Sequence, residues 1–294
     1  MRLLILTATL LGTGFASAQT LIDAPPVVPA DWAAKQPVDP EWKISIAPPG
    51  EQAPPFDLKV HFSLGTPAGV CSNYLNYAAV VQDIVNASAS AAHFDNCAFA
   101  EGLDYISRLT DAAERELDPA FKGWVKGQTP SADAVQRVHA GMFRLGQALH
   151  AVQDFYAHSN YLELQINGKT AVTAADVQHL NFFRAAADAR VLDLAKSGGL
   201  VSGTWPIGGP KQCRAGSATH QQLAKDSPAD GKGSERPSAD SRTYHFLASI
   251  LARRSTEQFL SDAALRWPLI TQVCTALVGV DPAGDSRKPT RMKP

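Results

Sequence analysis

The chain has 294 residues, of which 45% are hydrophobic, and its formal net charge at pH 7 is −1. That hydrophobic fraction excludes a wholly disordered chain and is enough for a sizeable core. The near-zero net charge gives no argument for binding nucleic acid or an anionic membrane. Because no internal run reaches about 18 apolar residues, the sequence predicts no transmembrane segment.

Residues 1–18 have the features of a secretory signal peptide. Arg2 supplies a positive charge, Leu3 to Leu11 form a short apolar run, and Ala16-Ser17-Ala18 offers a cleavage site before Gln19. An N-terminal membrane anchor is the alternative, but the apolar run is short for one. The sequence therefore predicts a secreted or periplasmic protein.

Export makes the even number of cysteines meaningful. The four cysteines allow three disulfide pairings, and their spacing does not resemble a zinc ribbon. The favoured pairing joins Cys71 to Cys97 and Cys213 to Cys274, because each bridge then closes a loop within one half of the chain.

One helical domain is predicted between two extended ends. Residues 19–58 contain nine prolines and are predicted to be extended or disordered. Residues 59–279 form the helical domain, and residues 280–294 form a flexible tail. The predicted fold is therefore all-α, a single helical bundle with a proline-rich N-terminal extension.

Apolar spacing predicts the helices of this bundle. The clearest segment runs from Ser131 to about Leu164, where apolar residues recur at gaps of three and four and form a buried stripe. Gly146 leaves room there for a ligand or another chain segment. The other predicted helices cover about 73–92, 98–117 (ending before Pro119), 173–196, 241–260 and 262–278, with loops at 197–210 and 226–238.

Three residues on the long helix point to metal chemistry. His150, Asp154 and His158 are spaced four apart, so each neighbouring pair shares a helix face. The two histidines lie about 12 Å apart along the axis and cannot easily share one ion. Asp154 has two oxygens, which suits a bridge between an ion at His150 and an ion at His158. A lone histidine here is more often a core residue, and the repeated pairing favours a metal site.

The segment from Leu149 to Leu164 resembles the signature of the fungal heterokaryon-incompatibility protein C (Het-C) family and its bacterial relatives. These proteins are similar to zinc-dependent phospholipases C and single-strand nucleases. His93-Phe94-Asp95-Asn96 and the segment from Ala218 to Pro228 resemble two further motifs of the family. The resemblance covers roughly residues 60–260 and implies a helical fold holding two or three zinc ions that cleave a phosphodiester.

The resemblance also implies roles for individual residues. Asp95 or Asp83 would orient the attacking water. Asn160 and Glu163 closely follow the histidine motif, and this position predicts that they support His158 or a metal-bound water. For Asn160 a helix-end hydrogen bond is the alternative. The implied ligands are His93, His150 and Asp154 for the first ion, His158 and His245 for the second, and His220 from the downstream motif, where a solvated loop is the alternative.

The sequence departs from the phospholipase pattern at three places. His158 follows Asp154 by four residues, where the phospholipases have six. Ser249 stands four residues after His245, where they have glutamate. The proline-rich segment also argues against a ligand from the N-terminal amine, for which His61 is the candidate substitute. These departures weaken the predictions of a third ion and of full activity more than the prediction of a metal site.

The predicted function is a secreted zinc-dependent phosphodiesterase-like hydrolase of the phospholipase C type. Its predicted substrate is a phospholipid or another phosphodiester, with peripheral contact to a membrane. A non-catalytic Het-C-like recognition or toxin-like protein with a partial metal site is one alternative. A single-strand nuclease ranks lower, since the sequence has neither a basic stripe nor clustered aromatic residues.

Overall fold

A computed structural model describes residues 70–206, 212–229 and 231–270 of the chain. The all-α prediction is confirmed, because 63% of the structure is helical and its described residues form no strand or sheet, only two isolated bridges. The helices are α1 (Val70–Val85), α2 (Ser90–His93), α3 (Phe99–Phe121), α4 (Ala132–His158), α5 (Tyr161–Ile166), α6 (Asp188–Lys196), α7 (His220–Leu223), α8 (Gly231–Ser234) and α9 (Tyr244–Arg266), with 3₁₀ turns at Asp95–Cys97, Ala174–Asp176 and Phe183–Ala185.

Helix α4 is the centre of the bundle, and α1, α3 and α9 pack around it. The Ser131 hydroxyl caps its first turn by accepting a hydrogen bond from the Ala134 amide at 3.1 Å, as the predicted helix start requires. Gly146 admits another chain segment, α1. A Cβ atom at Gly146 would lie only 2.5 Å from the Leu75 carbonyl oxygen, so the two helices touch backbone to backbone.

The long helix ends at His158, six residues before the predicted end. Ser159 is extended, and Asn160 exchanges hydrogen bonds with Gly199 and Val201 in a distant loop. The main-chain N–H of Asn160 also donates to the Val201 carbonyl at 3.0 Å. These bonds replace those of another helical turn, so the chain restarts as α5 at Tyr161.

The other predicted helices change in length at identifiable residues. Helix α3 runs two residues past Pro119, because a proline in the last turn removes one hydrogen bond without stopping the helix. The predicted 73–92 helix divides into α1 and α2. The predicted 241–260 helix and the start of the predicted 262–278 helix form one helix, α9, whose first turn is capped by the Thr243 hydroxyl. Residues 271–278 lie outside the described residues.

Two predicted segments are wrong in type. The predicted 173–196 helix is helical only in α6 and in two 3₁₀ turns, and Arg184 and Ala185 have positive φ angles of 51° and 61° that interrupt it. The predicted 226–238 loop contains the short helix α8.

The disulfide prediction is wrong. Cys97 is bonded to Cys213, 116 residues away, with their Cα atoms 5.0 Å apart. The two meet because the 3₁₀ turn lies along the loop after α6, where Asn96 bonds through its main chain to Gly203 and Gln212. The side chain of Cys71 and all of Cys274 lie outside the described residues.

Several predictions concern parts of the chain that the structure does not describe. These are the signal peptide (1–18), the proline-rich segment (19–58) with His61 shortly after it, and the tail (280–294). Among the described helices, none is both long and apolar enough to cross a bilayer. The Cys97–Cys213 bond is of the kind that forms in oxidising compartments, which agrees with the predicted export.

Candidate metal centre

The polar face of α4 meets residues from five other segments. His150, Asp154 and His158 lie on one face of the helix, as their four-residue spacing predicts, and all three are buried. The segments brought against them carry Asp83 on α1, His93 at the end of α2, Asp95 in the 3₁₀ turn, His220 at the start of α7, and Asp226 in the following loop.

The first ligand group consists of Asp83, His93 and His150. Their ligand atoms all lie within 4.8 Å of one another. His150 Nε2 is 3.2 Å from His93 Nδ1 and 3.6 Å from Asp83 Oδ1. In a tetrahedral zinc site neighbouring ligand atoms are about 3.3 Å apart, so these separations suit one ion.

The second ligand group consists of Asp95, His158 and His220, again within 4.8 Å. His220 Nδ1 is 2.8 Å from Asp95 Oδ1, which lies 3.9 Å from His158 Nδ1. Asp226 adds a further oxygen, because its Oδ1 is 3.2 Å from His158 Nε2. The Asp83 and Asp226 carboxylates are each 27% exposed, so both groups reach solvent.

Asp154 lies between the two groups. Its Oδ2 atom is 2.7 Å from His93 Nδ1, 3.0 Å from His150 Nε2 and 4.0 Å from His158 Nδ1. Burial alone would raise the pKa of Asp154, but the charges of His150 and His158 and hydrogen bonds from His150 and His93 hold it well below its usual value. This carboxylate is therefore an anion shared by both groups.

Main-chain carbonyls fix the orientation of two imidazole rings. His93 Nε2 donates to the Asn86 carbonyl at 3.1 Å, and His158 Nδ1 donates to the His93 carbonyl at 3.1 Å. A carbonyl can only accept, so the nitrogen facing it carries the proton. The ligand atom is therefore Nδ1 in His93, and in His158 it is Nε2, the nitrogen that faces Asp226. His93 therefore serves the first group with its side chain and the second with its backbone.

The charged side chains of His158 and Asp226 in the second group stabilise one another. Burial alone would lower the pKa of His158, but Asp226 and Asp154 raise it well above its usual value. Burial alone would raise the pKa of Asp226, and the charge of His158 lowers it instead. The same pattern holds at His93, whose pKa is lowered by burial and raised more strongly by Asp154.

Asp95 lies in an unusual stretch of backbone. Phe94, Asn96 and Cys97 have positive φ angles of 53°, 58° and 58°, a conformation that costs a residue other than glycine on the order of 1–3 kcal/mol. The disulfide and a 2.8 Å bond from the Cys97 amide to Ser202 Oγ hold this stretch in place. Phe94 is fully buried over Gly102, where a Cβ atom would lie 2.6 Å from its ring.

Three residues singled out in the sequence lie beside the two groups. His245 is on α9, and its Nδ1 donates to the Lys225 carbonyl at 2.7 Å; His220, and not His245, completes the second group. Asn160 holds the end of α4 against residues 199–201. Glu163 forms an ion pair with Lys225 at 3.1 Å.

Sequence reasoning considered Asp83 only as a water-orienting residue and gave Lys225 no role. The spacing of α4 says nothing about which segments pack on it, and a lysine in a polar loop is ordinarily solvated. Comparison with protein-family models, with curated proteins and with solved structures found no match to this chain. Its function is therefore inferred from the chemistry of the cluster.

Proposed function

We propose that the protein binds two divalent metal ions, which we take to be zinc, and hydrolyses phosphoric diesters. The observation that carries the proposal is the position of Asp154 Oδ2, within 2.7–4.0 Å of histidines from both ligand groups. A carboxylate shared between two His-rich groups is the arrangement by which proteins hold two ions a few ångströms apart.

The donor atoms fit zinc. Each group offers two imidazoles and one carboxylate, a ligand set that catalytic zinc sites use with a fourth position left for water. Calcium and magnesium prefer oxygen ligands throughout. The charges also balance, because two divalent cations would neutralise the four carboxylates Asp83, Asp95, Asp154 and Asp226.

Two such ions, when bound, polarise the phosphoryl group and lower the pKa of water. The chain's own residues would orient the reactants. The two carboxylates considered for orienting the attacking water, Asp83 and Asp95, each belong to a ligand group, and Asp83 is the more exposed of the two. The phospholipid substrate rests on the Het-C resemblance.

Metal analysis and hydrolysis assays of the purified protein test this proposal. We expect two zinc ions per chain and hydrolysis of bis(4-nitrophenyl) phosphate and phosphatidylcholine vesicles that a chelator abolishes and zinc restores. Asp154→Asn removes the shared charge and should lose both ions and at least 100-fold in rate, while the control Asp176→Asn, at a partly exposed residue outside both groups, keeps both. Substoichiometric zinc in the wild-type protein would contradict the proposal.

A non-catalytic recognition protein is the second candidate. In support of it, the position four residues after His245 holds Ser249, whose hydroxyl donates to the His245 carbonyl at 2.8 Å, and so offers no carboxylate there. Two bound zinc ions with no turnover of lipid, of the nitrophenyl diester or of single-stranded DNA would favour this candidate. Turnover of DNA alone would favour a nuclease.

A further inference from the structure

Lys225 is a fully buried lysine beside the second ligand group. Its side chain has no exposed surface, although its charge makes burial costly unless the group is paired and hydrogen-bonded. The ammonium group donates hydrogen bonds to the Ser159 carbonyl at 2.7 Å and the Leu223 carbonyl at 3.1 Å, and it forms an ion pair with a Glu163 carboxylate oxygen at 3.1 Å. Two hydrogen bonds and one ion pair therefore offset the cost of burying its charge.

The main chain of Lys225 ties the same loop to two helices. Its amide donates to the Ala157 carbonyl at 3.1 Å, and its carbonyl accepts the 2.7 Å bond from His245. Ala157 and Ser159 flank His158 at the C-terminal end of α4, where helix carbonyls lack helical partners and a cation is favourable. Lys225 therefore bonds on both sides of a predicted metal ligand.

We infer that Lys225 is a positioning residue, whose buried ammonium group fastens the Thr219–Asp226 loop to the end of α4 and thereby fixes the second ligand group. The loop carries His220 near its start and Asp226 at its end, and these reach Asp95 and His158 at 2.8 and 3.2 Å. This inference rests on the proposed two-metal function.

The first ligand group does not depend on this loop. Asp83, His93 and His150 are supplied by α1, α2 and α4, and their ligand atoms contact one another and Asp154. Removing the lysine charge should therefore weaken one ion and spare the other. A general loss of folding would weaken both.

Cobalt titration of the full-length protein tests this difference, because Co²⁺ substitutes for zinc and its visible absorption reports each site as it fills. Lys225→Met keeps an unbranched side chain and removes the charge. We expect the second Co²⁺ ion to bind about 10- to 100-fold more weakly and the first to bind unchanged. Lys169→Met is the matched control, since Lys169 is an exposed lysine that pairs with Asp176, outside both ligand groups, and should leave both ions unchanged.

Glu163→Gln provides a second route, because it leaves Lys225 in place and removes its counter-charge. We expect a weaker second ion here too, and this variant decides if circular dichroism shows that Lys225→Met does not fold. Unchanged affinity for the second ion, or equal weakening of both ions, contradicts the inference about Lys225 and leaves the proposed function standing. Wild-type protein that binds no Co²⁺ or zinc overturns the proposed function as well.

Discussion

The first and second ligand groups are built from different kinds of structure. Asp83 and His150 of the first group lie on the long helices α1 and α4, whose packing brings them together. In the second group only His158 lies on a long helix. Asp95 lies in a 3₁₀ turn with positive-φ neighbours, and His220 begins a four-residue helix.

This difference shows that helix packing can determine one part of a site while contacts between segments distant in the sequence determine the other. In the first group, helix packing places Asp83 and His150, and a hydrogen bond to the Asn86 carbonyl orients His93. The second group relies on the Cys97–Cys213 bond, which holds the turn carrying Asp95, and on Lys225, which holds the loop carrying His220. We therefore expect the second ion to be the more easily lost of the two.

Removing one histidine from each group should have the largest effect. We expect His150→Ala to lose the first ion and to weaken the second, because His150 also contacts the shared Asp154 at 3.0 Å. His220→Ala should lose the second ion alone. Zinc content by elemental analysis should fall from two to at most one ion per chain in both variants.

His139→Ala is the control for this pair. His139 lies on the same helix but stacks on Tyr74, with ring centroids 4.2 Å apart, and belongs to neither group. Its loss should leave the zinc content at two. Loss of both zinc ions in His220→Ala would mean that the groups form a single unit, contrary to the comparison.

The sequence could predict the helical half of the site. The four-residue spacing on α4 placed His150, Asp154 and His158 on one face, and Gly146 was predicted to leave room for a ligand or another chain segment, which is α1. These signals are local, because helix periodicity follows from neighbouring residues alone.

The sequence carries no comparable local signal for the contacts that hold the second group in place. Phe94 and Cys97 adopt positive φ angles that neither residue type favours, so their conformation comes from tertiary contacts. Cys97 pairs with a cysteine 116 residues away, whereas loop length favoured the nearer partner. The burial of Lys225 depends on Ser159 and Glu163, which are distant in the sequence and cannot be predicted from the neighbours of Lys225.

Removing the disulfide should have the next largest effect. Cys97→Ala with Cys213→Ala frees the turn that carries Asp95, so we expect the second ion to bind about 10- to 100-fold more weakly and the first to bind unchanged. The loop-entropy model also predicts a loss of about 4–5 kcal/mol in the free energy of unfolding for a bridge this long. Zinc titration and urea denaturation measure the two effects separately, and unchanged second-ion affinity would argue against the role of this bridge.

The smallest effect is expected at the end of α4, two residues after His158. Asn160→Ala removes the side-chain bonds to Gly199 at 2.9 Å and from Val201 at 2.8 Å, and should cost about 1–3 kcal/mol in the free energy of unfolding. Because the main-chain bond to Val201 and the Lys225 fastening both remain, the second ion should bind less than about 10-fold more weakly.

Asn181→Ala is the control that separates the effect of lost stability from the effect of a location next to the second ligand group. Asn181 also makes two side-chain hydrogen bonds, to Asp262 at 2.7 Å and from Phe183 at 2.9 Å, but it lies away from both ligand groups. The two variants should lose similar stability in urea, and only Asn160→Ala should weaken the second ion. If both variants weaken that ion equally, the second group responds to overall stability, and the end of α4 has no special part in holding it.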